Sequence, residues 1–330
     1  MGAPGCLHIS HDPLWLLGKE GPPMNTSRAI LLKLASVAVL IGMQSLIKAT
    51  SDHIPPGQAV FFRSFFALPV ILVWFGLQGQ FLNGMRTRNP LGHLWRGLVG
   101  TSAMGLSFAG LGLLPLPEVT ALFYAAPILT VVFAAMFLGE KVRLFRLLAV
   151  AMGLVGVLII LSPRLTALSD GDVGRTEALG AIMVLMAAAF AALAKIFVRK
   201  LVRTEHPATI VFYFSLTASC LSALSFPFGW VVPTWDEAAL LVLAGLMGGV
   251  GQGLLTTAFR YAHASFIAPF DYSSMLLALG IGFFVFGEVP TPVMLAGAAL
   301  VVGAGIVIIL RERQLGLERS KPRQAMTPQG

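Results

Sequence analysis

Ten apolar stretches, each about as long as a helix needs to cross hydrocarbon, follow one another along the chain with little between them. They occupy roughly residues 28–47, 57–77, 93–114, 118–138, 143–161, 177–198, 207–229, 236–258, 265–286 and 291–310. A bilayer-spanning helix takes about 20 apolar residues, so each run is one span, and no length remains for a soluble domain. Charge supply supports this reading. Of 330 residues, 56% are hydrophobic and 12% charged. A soluble domain carries roughly 25% charged residues, so the outer surface of this chain must face lipid. The expected fold is all-α, with ten transmembrane helices.

Residues 1–27 are polar and rich in Pro and Gly, and they lack the charged start and apolar run of a signal peptide. Met24 opens "MNTSR" directly before the first span and is an alternative start. The tail 311–330 is basic, and both ends are expected to be disordered. Cys6 lies in the polar tail and Cys220 in an apolar run, which implies no disulfide framework.

Lys and Arg set the orientation. Alternate connections carry Arg86 and Arg88, then Lys141, Arg143 and Arg146, then Arg199, Lys200 and Arg203, then Arg260, and the tail adds Arg311, Arg313, Arg319, Lys321 and Arg323. The intervening connections hold only Lys48, Arg164 and Arg175. Both termini are therefore expected to be cytoplasmic. The net charge of +8 reads as a topology signal, because the cations are scattered over loops and form no nucleic-acid patch.

The chain is also written twice. Gly139-Glu140 recurs as Gly287-Glu288, Tyr124 as Tyr272, and Gly97, Gly100 and Gly105 as Gly245, Gly248 and Gly253, all at an offset of 148. Each half, 28–161 and 177–310, holds five spans. An odd number makes the second copy enter the membrane inverted, an arrangement typical of secondary transporters.

The segments "LPLPEVTALFYAAPILTVVFAAMFLGE" and "IAPFDYSSMLLALGIGFFVFGEVP" resemble the paired segments of the drug/metabolite transporter superfamily, in its EamA-type branch of two five-helix repeats. The likeness covers about residues 28–312. It implies a bacterial inner-membrane transporter of a small organic metabolite. "FFRSFFALPVILVWF" and "APFDYSSM" look most like members tied to riboflavin uptake and, next, to S-adenosylmethionine uptake. Export or exchange of amino acids or related metabolites is the alternative cargo reading.

Several residues are candidates for a binding site. Pro127 and Pro269 interrupt the fourth and ninth spans, freeing carbonyls that are tolerated where protein or a wet cavity covers them. Tyr124 and Tyr272 share a face with these breaks and offer a ring and a polar tip to planar cargo. Phe123, Phe270, Tyr213 and Gln252 are further candidates, and for all of these ordinary helix packing is the competing reading. Three ionisable residues, Arg63, Lys195 and Asp271, lie deeper in the spans, where a charge is expected to face the interior with a partner. Arg63 is expected near Glu118 and Glu288, held by one of them or meeting an electron-rich cargo. Asp271 is expected to be compensated by Lys195 or Arg260, with a proton-loading neutral acid and a solvated residue as alternatives. Glu140 and Glu288 are expected to accept hydrogen bonds at the start of the following helix.

Gly245, Gly249 and Gly253 form a stripe at four-residue spacing, echoed by Gly97, Thr101 and Gly105. Such stripes let helices approach closely in lipid, whether for static packing or as a surface on which the repeats rock. The six His residues, at 8, 11, 53, 93, 206 and 263, show no HExxH spacing, so a membrane-embedded enzyme is a distant alternative. No metal, ATP or other cofactor is expected, since there is also no Walker A pattern. The expected partners are the lipid bilayer and a small-molecule substrate, not nucleic acid. The oligomeric state is left open.

Overall fold

The computed structural model describes residues 26–77, 85–138, 144–166, 172–201, 204–205, 207–261 and 268–320. Gly139 and Glu140, one half of the repeated Gly-Glu pair, lie outside the described residues, as do Met24, His8, His11 and the side chain of Arg260. Among the described residues there are twelve α-helices and one 3-10 segment, and no strand.

In chain order they are α1 (Thr26–Thr50), α2 (Pro56–Phe65), α3 (Ala67–Leu77), α4 (Pro90–Leu113), α5 (Leu116–Phe123), α6 (Ala125–Leu138), α7 (Leu144–Thr166), α8 (Asp172–Leu201), α9 (Pro207–Ala223), α10 (Trp235–Tyr261), the 3-10 segment (Ala268–Tyr272), α11 (Ser273–Phe286) and α12 (Pro292–Ser320). Among the described residues, Ser27–Thr50, Pro56–Leu77, Gly174–Val198 and Trp235–Leu255 are each long and apolar enough to cross a membrane, and Leu116–Thr130, Val150–Pro163, Ala208–Ala223, Phe270–Phe286 and Pro292–Val307 are shorter apolar helical stretches.

Proline explains why some spans come in two pieces. Its ring crowds the carbonyl four residues back and its nitrogen has no hydrogen to give. Pro69 therefore ends α2 at Phe65, and Pro127 ends α5 at Phe123. The linking residues Phe66 and Tyr124 stay near helical geometry, so each span bends without reversing. At helix starts, Asn89 accepts from the Gly92 amide, and Thr234 and Glu237 bond each other's amides in a capping box.

The main helix packings cross between the repeats. α1 lies against α10 and α4 against α8, and these are equivalent contacts with the repeats exchanged. α2 likewise meets α9, α5 meets α11, and α7 meets α12. The chain is thus two interlocked five-helix repeats rather than two separate bundles. The common core, which includes Met43, Phe108, Leu122, Tyr124, Ile128 and Val301, draws on both.

The glycines of the two predicted stripes divide. A Cβ on Gly97 would press on Thr217 of α9, and one on Gly245 would stand 2.8 Å from the Phe62 carbonyl of α2. A Cβ on Gly249 would stand 2.8 Å from Val70 Cβ. Gly105 and Gly253 have nothing within 4 Å of that position. Thr101 turns its hydroxyl back to the Gly97 carbonyl, 2.7 Å away.

Candidate functional site

Three groups of polar side chains lie where the repeats meet. The first surrounds the breaks in the fourth and ninth spans. Tyr124 and Tyr272, equivalent in the two repeats, meet edge to face with ring centroids 5.1 Å apart. The Tyr124 hydroxyl donates to Ser274 Oγ at 2.5 Å, and Ser274 in turn donates to the Asp271 carbonyl at 2.7 Å. The Tyr272 hydroxyl reaches Gly305 of α12, where a Cβ would overlap it. Asp271 forms an ion pair with Lys33 of α1, Nζ to Oδ1 2.5 Å. The Lys33 side chain is 4% exposed and that of Asp271 55%. The sequence-based expectation of Lys195 as the compensating cation is therefore corrected, while the side chain of Arg260, the other expected cation, lies outside the described residues. Lys33 takes that place because α1 packs against the 3-10 segment that carries Asp271, whereas Lys195 is exposed on α8.

The second group joins α2, α4 and α9. Arg63 is 3% exposed. Its guanidinium lies 5.8 Å from the centre of the Phe214 ring, and that of Arg96 lies 4.1 Å from the same ring. Neither arginine makes an ion pair among the described residues, and Arg63 Nε, Arg96 Nε and Arg96 Nη1 are buried with no hydrogen-bond partner. The expected pairing of Arg63 with Glu118 or Glu288 does not occur: Glu288 is engaged elsewhere, and Glu118 is buried in the first turn of α5. Beyond Arg96, the buried His93 stands 4.0 Å from Glu205 and 4.8 Å, ring to ring, from Tyr213. Tyr213 donates to the Met85 carbonyl at 2.8 Å. Glu205 lies between α8 and α9. Burial alone raises its pKa, but the Thr87 hydroxyl, the Arg88 and Asn89 amides and His93 outweigh burial and hold it below the ordinary carboxylate range.

The third group explains half of the repeated Gly-Glu motif. Gly287 closes α11 in left-handed geometry at φ 66°, a conformation that glycine adopts without cost. Glu288 then turns across to the other repeat, accepting from the Leu116 amide at the start of α5 at 2.9 Å and pairing with Lys48 at 2.9 Å. Lys48 also donates to the Leu111 and Leu114 carbonyls at 3.2 and 2.8 Å. Glu288 thus serves a helix N-terminus, as expected, but one in the opposite repeat and not that of the following helix.

Of the remaining candidates, Phe123 is half-buried against the core, Phe270 packs on Ala29 and Ala258, and Gln252 is half-buried in α10. A cavity of about 230 Å³ among α1, α2, α4 and α8 is lined by Ile47, Ile54, Ala59, Phe108, Leu113 and Met183 and includes none of the candidates. Its wall is mainly apolar, with Ser51 contributing one hydroxyl that already donates to the Lys48 carbonyl, so the three polar groups are the better guide to function.

The sequence matches the EamA-like transporter family over residues 27–162 and again over 178–311. The chain belongs to the EamA-like transporter family. Among curated relatives, a riboflavin transporter of Rhizobium johnstonii is 33% identical over 78% of this chain and 82% of its own length. An S-adenosylmethionine uptake transporter of Rickettsia bellii is 30% identical over 78% of this chain and 84% of its own. A pseudopaline exporter of Pseudomonas aeruginosa is 30% identical over 86% of this chain and 95% of its own. A solved crystal structure shares the fold, with a TM-score of 0.60 at 20% identity, covering 88% of this chain and 99% of that one. As an EamA-like protein the chain is a multi-pass membrane transporter with a small-molecule substrate.

Two charged residues in this EamA-like chain escaped the sequence reading, which counted three deep ionisable groups. Lys33 and Arg96 lie within α1 and α4, each less than two turns or so from the helix start. Near span ends, lysine and arginine ordinarily reach the interface, so position alone did not separate these two from the flanking cations. A signal was available in the offset. Arg96 precedes Gly97 and Gly100, whose repeat-related positions Gly245 and Gly248 pack on α2 around Arg63.

Proposed function

We propose that the chain is a secondary transporter that moves a small organic metabolite across a bacterial inner membrane by alternating access, with both termini in the cytoplasm. The observation that supports this is the burial of Lys33 and Arg63, and of the Arg96 Nε and Nη1 atoms, inside spans where the repeats interlock. A charge within hydrocarbon is expensive and is retained where it serves a substrate path or a ligand. Packing that exchanges equivalent contacts between inverted repeats gives two related halves able to rock about a shared site. Tyr124, Tyr272, Asp271 and Lys33 form one wall of that site; Arg63, Arg96 and Phe214, with Tyr213 nearby, form another.

Sequence likeness favours riboflavin uptake as the specific activity, with the tyrosine pair as the platform for a planar ring. Arg63 and Arg96 favour the second reading, export or exchange of amino acids or related metabolites, because a guanidinium fork matches a carboxylate.

The test is a panel of labelled riboflavin, S-adenosylmethionine and amino acids, followed for uptake into, and efflux from, preloaded bacteria expressing the chain. Saturable movement of one compound above the empty-vector control, in one direction, is expected. Flux that rises linearly with concentration would indicate a pore, and no movement of any compound in either direction would remove the cargo readings.

A further inference from the structure

Every buried side-chain nitrogen or oxygen without a partner, among the described residues, belongs to α2, α4 or α9: Arg63, Ser64, His93, Arg96 and Ser215. Buried polar atoms elsewhere in these helices are satisfied, as in the Ser219 and Ser222 hydroxyls of α9. The deficit is therefore local, and it is one-sided, because the two strongest members are cations that stay charged at any physiological pH.

The surroundings make room for these cations, and no acid among the described residues pairs with either. A Cβ on Gly248 would stand 3.0 Å from Arg63 Nε and 3.1 Å from Met43 Sδ. A Cβ on Gly100 would collide with Arg96 Nη1 and crowd Phe214. Gly100 and Gly248 are the same position in the two repeats, so each repeat contributes a bare backbone to seat one guanidinium. Phe214 supplies a ring face near both, which offsets part of the desolvation of a cation but cannot neutralise two. Three carboxylates are committed elsewhere: Asp271 to Lys33, Glu288 to Lys48, and Glu205 to the Thr87–Asn89 turn and His93.

Two like charges beside one ring, with buried unpartnered nitrogens and no acid paired to them among the described residues, are a poor way to hold helices together. They are a good way to bind an anion, since the cost of desolvating them has already been met and planar forks suit two oxygens at once. We propose that Arg63 and Arg96 form a binding site for an anionic group, a carboxylate or a phosphate monoester, carried by the transported molecule. This rests on the transport reading only in calling the molecule transported, and it moves the cargo from neutral riboflavin toward an acid-bearing metabolite.

The test reads binding without transport. The full chain is purified into nanodiscs of phosphatidylcholine alone, which removes anionic lipid as a competing source of phosphate. Its melting temperature is followed against benzoate, phenyl phosphate, inorganic phosphate and the neutral benzamide. Benzoate or a phosphate should raise the melting temperature saturably, and benzamide should not. Preference among benzoate, phenyl phosphate and inorganic phosphate identifies the acid. Arg63→Gln and Arg96→Gln should each require at least tenfold more of that anion, and the double variant should show no saturable response. Arg63→Lys keeps the charge without the fork and should weaken binding by less. Without anion, Arg63→Gln should melt at or above the wild-type temperature, because it removes an uncompensated charge. The proposal is overturned if no anion stabilises the protein more than benzamide does. It is overturned equally if the response survives in the double variant, or if ligand-free Arg63→Gln melts well below wild type, the mark of a structural arginine. An anion response alongside a panel in which nothing moves would leave this site standing and remove the cargo readings alone.

Discussion

The crossing of α7 and α12 offers a test in which two identical substitutions on one helix pair should have opposite signs. Gly156 and Gly297 face each other there. A Cβ on Gly156 would stand 2.8 Å from the Gly297 carbonyl oxygen and 3.0 Å from the Val301 nitrogen. A Cβ on Gly297 would stand 2.7 Å from the Gly156 carbonyl oxygen and 3.0 Å from the Ile160 nitrogen. All four neighbours are backbone atoms, which no rotamer change can withdraw. Favourable carbon contacts begin at about 3.5 Å, so Gly156→Ala must open the crossing by roughly half an ångström. Overpacking of this kind costs about 1–3 kcal/mol. Replacing Gly by Ala in a helix returns about 1 kcal/mol of backbone entropy. The net for Gly156→Ala is a loss of roughly 1 kcal/mol, taking mid-range values of both. Gly303, also in α12, has nothing within 4 Å of a built Cβ, so Gly303→Ala keeps the backbone gain alone, up to about 1 kcal/mol of stabilisation. Once Gly156→Ala has parted the helices, Gly297→Ala should cost less than it does alone, leaving a coupling of about 0.5–1 kcal/mol. Reversible unfolding in mixed micelles measures all four variants. The reasoning fails if Gly156→Ala is as stable as Gly303→Ala, or if the Gly156 and Gly297 effects simply add.

Three further outcomes follow from the polar groups. Asp271→Asn removes the negative charge paired with Lys33, whose side chain is 4% exposed; because the Asp271 side is half open to solvent, the cost is about 1–2 kcal/mol rather than that of a fully buried pair. Lys33→Gln should recover most of this loss in unfolding and transport assays, and equal recovery by Lys195→Gln would show that the pairing is misassigned. Tyr124→Phe removes the hydrogen bond to Ser274 and should cost about 1 kcal/mol; Ser274→Ala added to it should cost little more. In transport, Leu at Tyr124 or Tyr272 should be worse than Phe, and equal loss from both would assign the role to the hydroxyl. The depressed pKa of Glu205 means that its contribution to stability is complete above the unfolded-state value, about 4.3, and is lost as pH falls through the lower folded-state value. Glu205→Gln should therefore lower the melting temperature at neutral pH and match wild type in strong acid; a pH-independent difference would contradict the assignment.

Much of the architecture was legible before any coordinates. Ten spans could be counted because lipid tolerates only backbone that is bonded within its own segment, and that demand is written in every run of twenty residues. The bends after Phe65 and Phe123 follow from Pro69 and Pro127, since the proline ring acts on a carbonyl only four residues away. The doubling was visible as the offset joining Tyr124 to Tyr272 and Gly100 to Gly248.

What the sequence left undecided was which groups meet. Lys33 and Asp271 are far apart along the chain, and their pairing depends on α1 lying against the 3-10 segment. Gly249 and Gly253 look alike in the stripe, yet only the first has a neighbour within reach. Arg96 reads as an ordinary cation near a span end until α9 brings Phe214 against it. Hydropathy and proline chemistry act over a few residues and survive in the sequence, whereas the partner of a buried charge is chosen by helix packing across the whole chain.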